Sequence, residues 1–265
     1  VTLFSRVVVG SKPVHLTVVM LHGFMGDHRD WLPVVQGLPQ AGIKYVLYDL
    51  PCHGQSLLSE EANPWTDFES ITRSLWQDIR SEQQGRLIVL GYSLGGRLAL
   101  RLKAQCPGDI DHLLIESASF GISSLGERES RYQKDQFLLQ DVLAGRRSFR
   151  DFLEAWYRLP LFRGLGACDG FEPMLARRLS QSPEQIQRSL QFLSVGSMVA
   201  TDHFADDGKQ LSFISGVDDK KYAAIMSQLP LSWKTYAVPG ASHNVHLQQK
   251  HAFIDIVSRA LGKYT

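Results

Sequence analysis

What this chain has least of is cysteine, net charge and long apolar stretches. Its three cysteines, Cys52, Cys106 and Cys168, are odd in number and widely spaced, which offers neither a disulfide framework nor a zinc site and fits a reducing cytoplasm. With 28 basic and 27 acidic side chains the net charge is +1. No bulk field therefore draws the chain to nucleic acid or to a membrane, and any preference for anions must be local. The longest apolar run near the start, LTVVML at 16–21, is far too short to span a bilayer and lacks the basic flank and cleavage site of a signal peptide. Internal repeats and low-complexity linkers are missing too, so an insertion would pack on the rest rather than swing on a tether. A length of 265 residues suits one sizeable core. The expectation is a single-domain cytoplasmic protein over 1–265, a monomer in preference to an oligomer.

What is present is alternation. Short β-branched runs, LTVVML (16–21), KYVLYDL (44–50), RLIVLGY (86–92), HLLIES (112–117), LSFISG (211–216) and KTYAV (234–238), read as buried parallel strands. Helical spacing of apolar residues fills 67–83, 94–105 and 220–229 between them. The pattern predicts an α/β fold, a mostly parallel sheet with helices on both faces. From about 120 to 205 the alternation gives way to helical sequence rich in arginine and aromatics, which reads as an inserted cap. Ser182 before Pro183 and Glu184 marks an N-cap with proline in the first turn of one of its helices.

The segment LIVLGYSLGGRLAL places a serine between a strand and a helix, flanked by glycines. G-x-S-x-G in that setting is a nucleophile elbow, a strained turn that lifts the serine hydroxyl above the sheet. Ser93 is the candidate reactive residue. The loop LHGFMGD follows the first strong strand, so the backbone N–H groups of Phe24 and Leu94 are the candidates for an oxyanion hole. An acid and then a histidine must follow in the chain. Asp218 and Asp219 close one strand, with Asp219 preferred; His243 and His246 follow another, with His243 preferred as the base. No acidic residue lies near these two histidines in sequence, so no metal site is expected.

Arg97 stands four residues past Ser93, facing either the pocket or solvent. The cap adds Arg128, Arg131, Arg177 and Arg178. Taken singly, helical arginines are solvated; converging on one cleft, they bind carboxylates through paired N–H donors. Tyr92, Trp156 and Tyr157 are candidates for the pocket wall.

In LHGFMGD, DLPCHGQS, GYSLGGR, ERESR, WYRLPLF, RRLSQSPE, GVDDKKY and GASHNVH, spread in order over nearly the whole chain, the sequence resembles the 2-succinyl-6-hydroxy-2,4-cyclohexadiene-1-carboxylate synthases (MenH) of menaquinone biosynthesis, within the α/β-hydrolase superfamily. The resemblance implies Ser93, Asp219 and His243 as a triad and Tyr92, Arg97, Arg131, Trp156 and Arg178 as substrate-binding residues, a one-residue shift choosing Arg177 instead. It implies elimination of pyruvate from a small polycarboxylate by proton abstraction, with no cofactor. The alternative is a serine hydrolase cleaving an ester, thioester or C–C bond. One departure is Cys52, where the family's pattern has glycine in DLPGHG.

Overall fold

The computed structural model describes residues 3–59, 65–201 and 210–265. Seven strands form one sheet: β1 (Ser5–Val9), β2 (Leu16–Leu21), β3 (Ile43–Tyr48), β4 (Arg86–Tyr92), β5 (His112–Glu116), β6 (Leu211–Gly216) and β7 (Lys234–Val238). Their order is β1-β3-β2-β4-β5-β6-β7, with β1 antiparallel to β3 and every other pair parallel. Eleven α-helices are described: α1 (Leu32–Val35), α2 (Phe68–Glu82), α3 (Leu94–Gln105), α4 (Leu125–Gln136), α5 (Gln140–Leu143), α6 (Phe149–Tyr157), α7 (Phe171–Leu179), α8 (Pro183–Leu193), α9 (Lys220–Ser227), α10 (Val245–Gln248) and α11 (Lys250–Leu261).

Because side chains alternate along a strand, each buried strand feeds both faces of the sheet. Leu16, Val18 and Met20 of β2 pack with Val34 and Val35 of α1 and with Phe253 and Val257 of α11. Val19 and Leu21 point the other way, toward Ile71 and Leu75 of α2 and Leu98 and Leu102 of α3. Both faces are covered, which is why these strands read as continuous apolar runs. The amphipathic α2 starts where Asp67 and Ser70 cap each other, the Asp67 carboxylate accepting the Ser70 N–H at 2.7 Å, a cap worth about 1 kcal/mol. Strand β1 lies outside the runs expected from sequence. As an edge strand it is half-exposed along its length, so it carries no uniform apolar signal.

Helices α4–α8 lie between β5 and β6 and enclose a core of their own, with Phe152, Leu153, Met174 and Ile186 at its centre. Ser182 caps α8 as expected, accepting from Gln185 N, with Pro183 at its first position. The stretch 202–205 at the end of the expected cap lies outside the described residues. Met25, in the loop after β2, inserts into the cap core. Two glutamines clamp the other side: Gln181 receives the Gly54 N–H at 3.1 Å and donates to Met25 O at 2.5 Å, while Gln185 exchanges hydrogen bonds with both backbone groups of Leu58 at 3.1 and 2.8 Å. Among the described residues no helix is long and apolar enough to cross a membrane.

Candidate active site

All the reactive candidates sit where parallel strands end, the crevice in which open α/β sheets bind ligands. The turn from β4 into α3 holds Ser93 at φ 50° and ψ −103°, a backbone position that costs on the order of 1–3 kcal/mol and persists only where packing enforces it. The enforcement is steric. A Cβ on Gly91 would lie 2.4 Å from Gly95 O, and one on Gly95 would lie 2.2 Å from Leu21 O. The flanking glycines are therefore required by contact between strand and helix.

Asp219 follows β6 and caps α9, its Oδ1 accepting the Tyr222 N–H at 3.2 Å. Its Oδ2 lies 2.8 Å from His243 Nδ1, and His243 Nε2 lies 3.0 Å from Ser93 Oγ. The three residues expected from sequence are thus brought into one hydrogen-bonded chain. With Nδ1–H donated to the carboxylate, Nε2 presents its lone pair to the serine hydroxyl. Tyr222 packs against the imidazole, ring centroids 4.9 Å apart, and the His243 N–H donates to Leu161 O in the cap at 3.2 Å. The two alternatives fall elsewhere. Asp218 is exposed, and His246 is held by Glu116, its Nδ1 2.7 Å from Oε2. It sits in the one-turn α10, ahead of the last helix, α11.

The loop after β2 is tied down through His22. Its Nδ1 donates to Gly23 O at 2.7 Å, its Nε2 accepts the Leu50 N–H at 2.9 Å, and its carbonyl accepts the Gly95 N–H at 3.0 Å. Burial pushes the imidazole pKa down, so the ring serves as a neutral bridge. Phe24 and Leu94 both line the cavity beside Ser93. Among the described residues no protein acceptor takes either backbone N–H, which leaves both available to a developing oxyanion.

The same cavity is lined by Tyr92, Arg97, Arg131, Trp156 and Arg178. Trp156 forms an apolar wall with Phe24 and Phe162, at ring centroid distances of 5.9 and 6.2 Å. Burial raises the Tyr92 hydroxyl pKa well above its ordinary value, keeping it a neutral donor. The arginines differ sharply. Arg178 is buried and forked onto Asp30, Nη1 to Oδ1 at 3.1 Å and Nη2 to Oδ2 at 2.5 Å, with Nε on Tyr157 Oη at 3.3 Å. Arg177 reaches the same Asp30 at 2.9 Å from outside the cavity lining. Of the two, Arg178 is the one that faces the cavity. Arg131 donates to Asp135 Oδ1 at 2.8 Å, and the other oxygen of Asp135 takes the Ser194 hydroxyl at 2.7 Å. Arg97 has neither arrangement: its Nε is buried without a hydrogen-bond partner. Among the described residues it makes no ion pair, and burial, reinforced by the nearby charge of Arg131, lowers its pKa.

Several lining residues were not singled out from sequence, Lys221 and Tyr222 among them. The signal was the helix start directly after the acid, which turns the next residues toward the cleft. Lys221 sits at the rim with Nζ 5.2 Å above the Tyr222 ring. One cluster of metal-ligand type occurs among the described residues, Asp27, His28 and Asp49. Its carboxylates are already occupied: Asp27 by Arg29 at 2.7–3.0 Å, and Asp49 by the N–H and Nδ1 of His28 and the Gln55 N–H at 2.6–2.8 Å.

An elbow serine, a histidine–aspartate pair and two free amides at the ends of parallel strands define a hydrolase-fold site. The family described as "Alpha/beta hydrolase family" matches residues 18–256, and the chain belongs to it. Within that family it is similar to the 2-succinyl-6-hydroxy-2,4-cyclohexadiene-1-carboxylate synthases. That of Yersinia pseudotuberculosis is 29% identical, covering 89% of this chain and 84% of its own. That of Pectobacterium atrosepticum is 28% identical, covering 94% and 95%. The solved structure of MenH from S. aureus shares the fold with a TM-score of 0.85 at 23% identity, covering 98% of both chains.

Proposed function

We propose that this chain eliminates pyruvate from 2-succinyl-5-enolpyruvyl-6-hydroxy-3-cyclohexene-1-carboxylate, giving 2-succinyl-6-hydroxy-2,4-cyclohexadiene-1-carboxylate for menaquinone biosynthesis. The observation that carries this reading is Arg97, a half-buried cation lining the cavity beside the serine, its Nε sealed without a hydrogen-bond partner and the side chain without an ion pair among the described residues. An esterase for neutral substrates has no use for such a group, whereas a substrate with several carboxylates supplies its counter-charge.

In the proposed reaction His243 Nε2 takes the Ser93 proton, and the serine oxygen removes a proton from the substrate ring. Asp219 fixes the tautomer and steadies the imidazolium. The Phe24 and Leu94 amides stabilise the negative charge that develops on the succinyl carbonyl oxygen. Collapse of that charge into the ring breaks the C–O bond to the enolpyruvyl group, which leaves and takes a proton to become pyruvate. Arg97, Arg131 and Arg178 hold substrate carboxylates, with Tyr92 and Trp156 as the wall.

The 3.0 Å contact from Ser93 to His243 would equally activate the serine as a nucleophile, so hydrolysis of a carboxylated ester, thioester or C–C bond is the second reading. Incubation with the enolpyruvyl substrate separates them. Stoichiometric release of pyruvate is expected, reduced by roughly 10³-fold or more in Ser93→Ala. Brisk turnover of aryl esters without pyruvate release would overturn the elimination.

A further inference from the structure

Beneath Tyr92 lies a second carboxylate–imidazole pair that the triad does not use. Glu116, the last residue of β5, is fully buried beside the apolar Leu113, Leu114 and Ile115. Its Oε1 accepts the His246 N–H at 3.0 Å, and its Oε2 lies 2.7 Å from His246 Nδ1. Its carbonyl accepts the Ser93 N–H at 2.9 Å. One residue thus bonds the backbone of the reactive serine and, through its side chain, the loop three residues beyond the base. The Tyr92 ring is wedged between the two histidines, 4.9 Å from His246 and 5.3 Å from His243.

A buried carboxyl is a costly choice at the end of an apolar strand unless donors meet it. Both donors come from a single residue of the base loop. We propose that Glu116 and His246 are positioning residues, drawing the His243 loop onto the sheet so that Nε2 meets the Ser93 hydroxyl at reacting distance. Neither touches the substrate. Small displacements of reacting groups cost up to about 10²-fold in rate, so the pair acts on turnover rather than on binding. The inference rests on the proposed role of Ser93.

The decisive series is Glu116→Gln, His246→Ala and His246→Asn. Glutamine keeps the shape but offers one acceptor oxygen where two donors converge. Asparagine can place an amide N–H near the former Nδ1. Expected are losses of kcat of roughly 10- to 100-fold in E116Q and H246A with KM within about threefold, and partial recovery in H246N. The labelling rate of Ser93 by a fluorophosphonate, which assumes nothing about the substrate, should follow the same order. A folded E116Q with kcat within twofold of the parent, a loss confined to KM, or an H246N no better than H246A would overturn the proposal. Should E116Q fail to fold, the H246A and H246N comparison decides. Should the parent release no pyruvate, the functional reading fails, and the labelling series still tests the positioning pair.

Discussion

The cavity holds its arginines in two conditions. At the α7 end, Arg178 and Arg177 converge on Asp30, a carboxylate donated by the loop after β2. Their charge ties the cap to the sheet. At the α3 end, Arg97 and Arg131 share the neighbourhood of Asp135 while Lys221 lies nearest Asp219, and Arg97 makes no ion pair among the described residues. The Asp30 pair gives Arg178 a structural duty beside the substrate contact proposed for it, whereas Arg97 carries only the proposed contact with a ligand.

The strongest way to break that contrast is Arg178→Ala. It leaves Asp30 buried with Arg177 alone, and losing one member of a buried pair costs about 3–5 kcal/mol. Urea unfolding measures it, and a loss under about 1 kcal/mol would make the two ends alike. Next is Arg97→Met, which keeps the buried stem but removes the charge. Forfeiting a charged hydrogen bond to substrate should lower kcat/KM for pyruvate release by roughly 10²-fold, or about 3 kcal/mol. The thermal midpoint should hold or rise, since the Nε removed is buried without a hydrogen-bond partner and the charge has no ion pair among the described residues; a marked fall would show that Arg97 holds the fold as Arg178 does.

The smallest effect is acid sensitivity. Paired with Arg178, Asp30 has its pKa depressed below the usual carboxylate range. The stability it supplies is present above the ordinary aspartate pKa and is lost only in strong acid. Burial instead depresses three histidines, His53 to about 3, His112 to about 4, and His22 as well. From the ordinary value near 6.5 down to those values the unfolded chain binds protons that the folded one refuses, so stability falls as pH falls. Each histidine contributes at most about 1.4 kcal/mol per pH unit. Urea midpoints from pH 7 to pH 4 should fall in the parent and less steeply in His53→Gln. A flat profile would remove the histidines as the cause.

What sequence made legible was local. The elbow could be read because strand, glycines and helix are contiguous, and α3 spans the 94–105 predicted. The acid and the base could each be narrowed to two candidates because they follow strands, and the likeness of GVDDKKY to the family's pattern strengthened Asp219 over Asp218. Long-range partners could not be read: nothing around Arg178 announces Asp30, 148 positions away, and nothing in HLLIES announces that Glu116 meets His246, 130 positions on. The departure at Cys52 was visible, and its meaning needed the backbone. Cys52 sits at φ 63°, the left-handed region where glycine is at ease and a side chain costs on the order of 1–2 kcal/mol. Burial pushes its thiol up to about 12, which makes it a packing group and not a reactive one.

The bond from the His243 amide to Leu161 in the cap makes the reactive centre a joint product of two regions. Serine, acid and base all follow strands of the sheet, yet the backbone of the base is also fastened to the segment that lines the cavity from the cap side. Reshaping the cap at Leu161 therefore alters the pocket wall and the seat of the base at once.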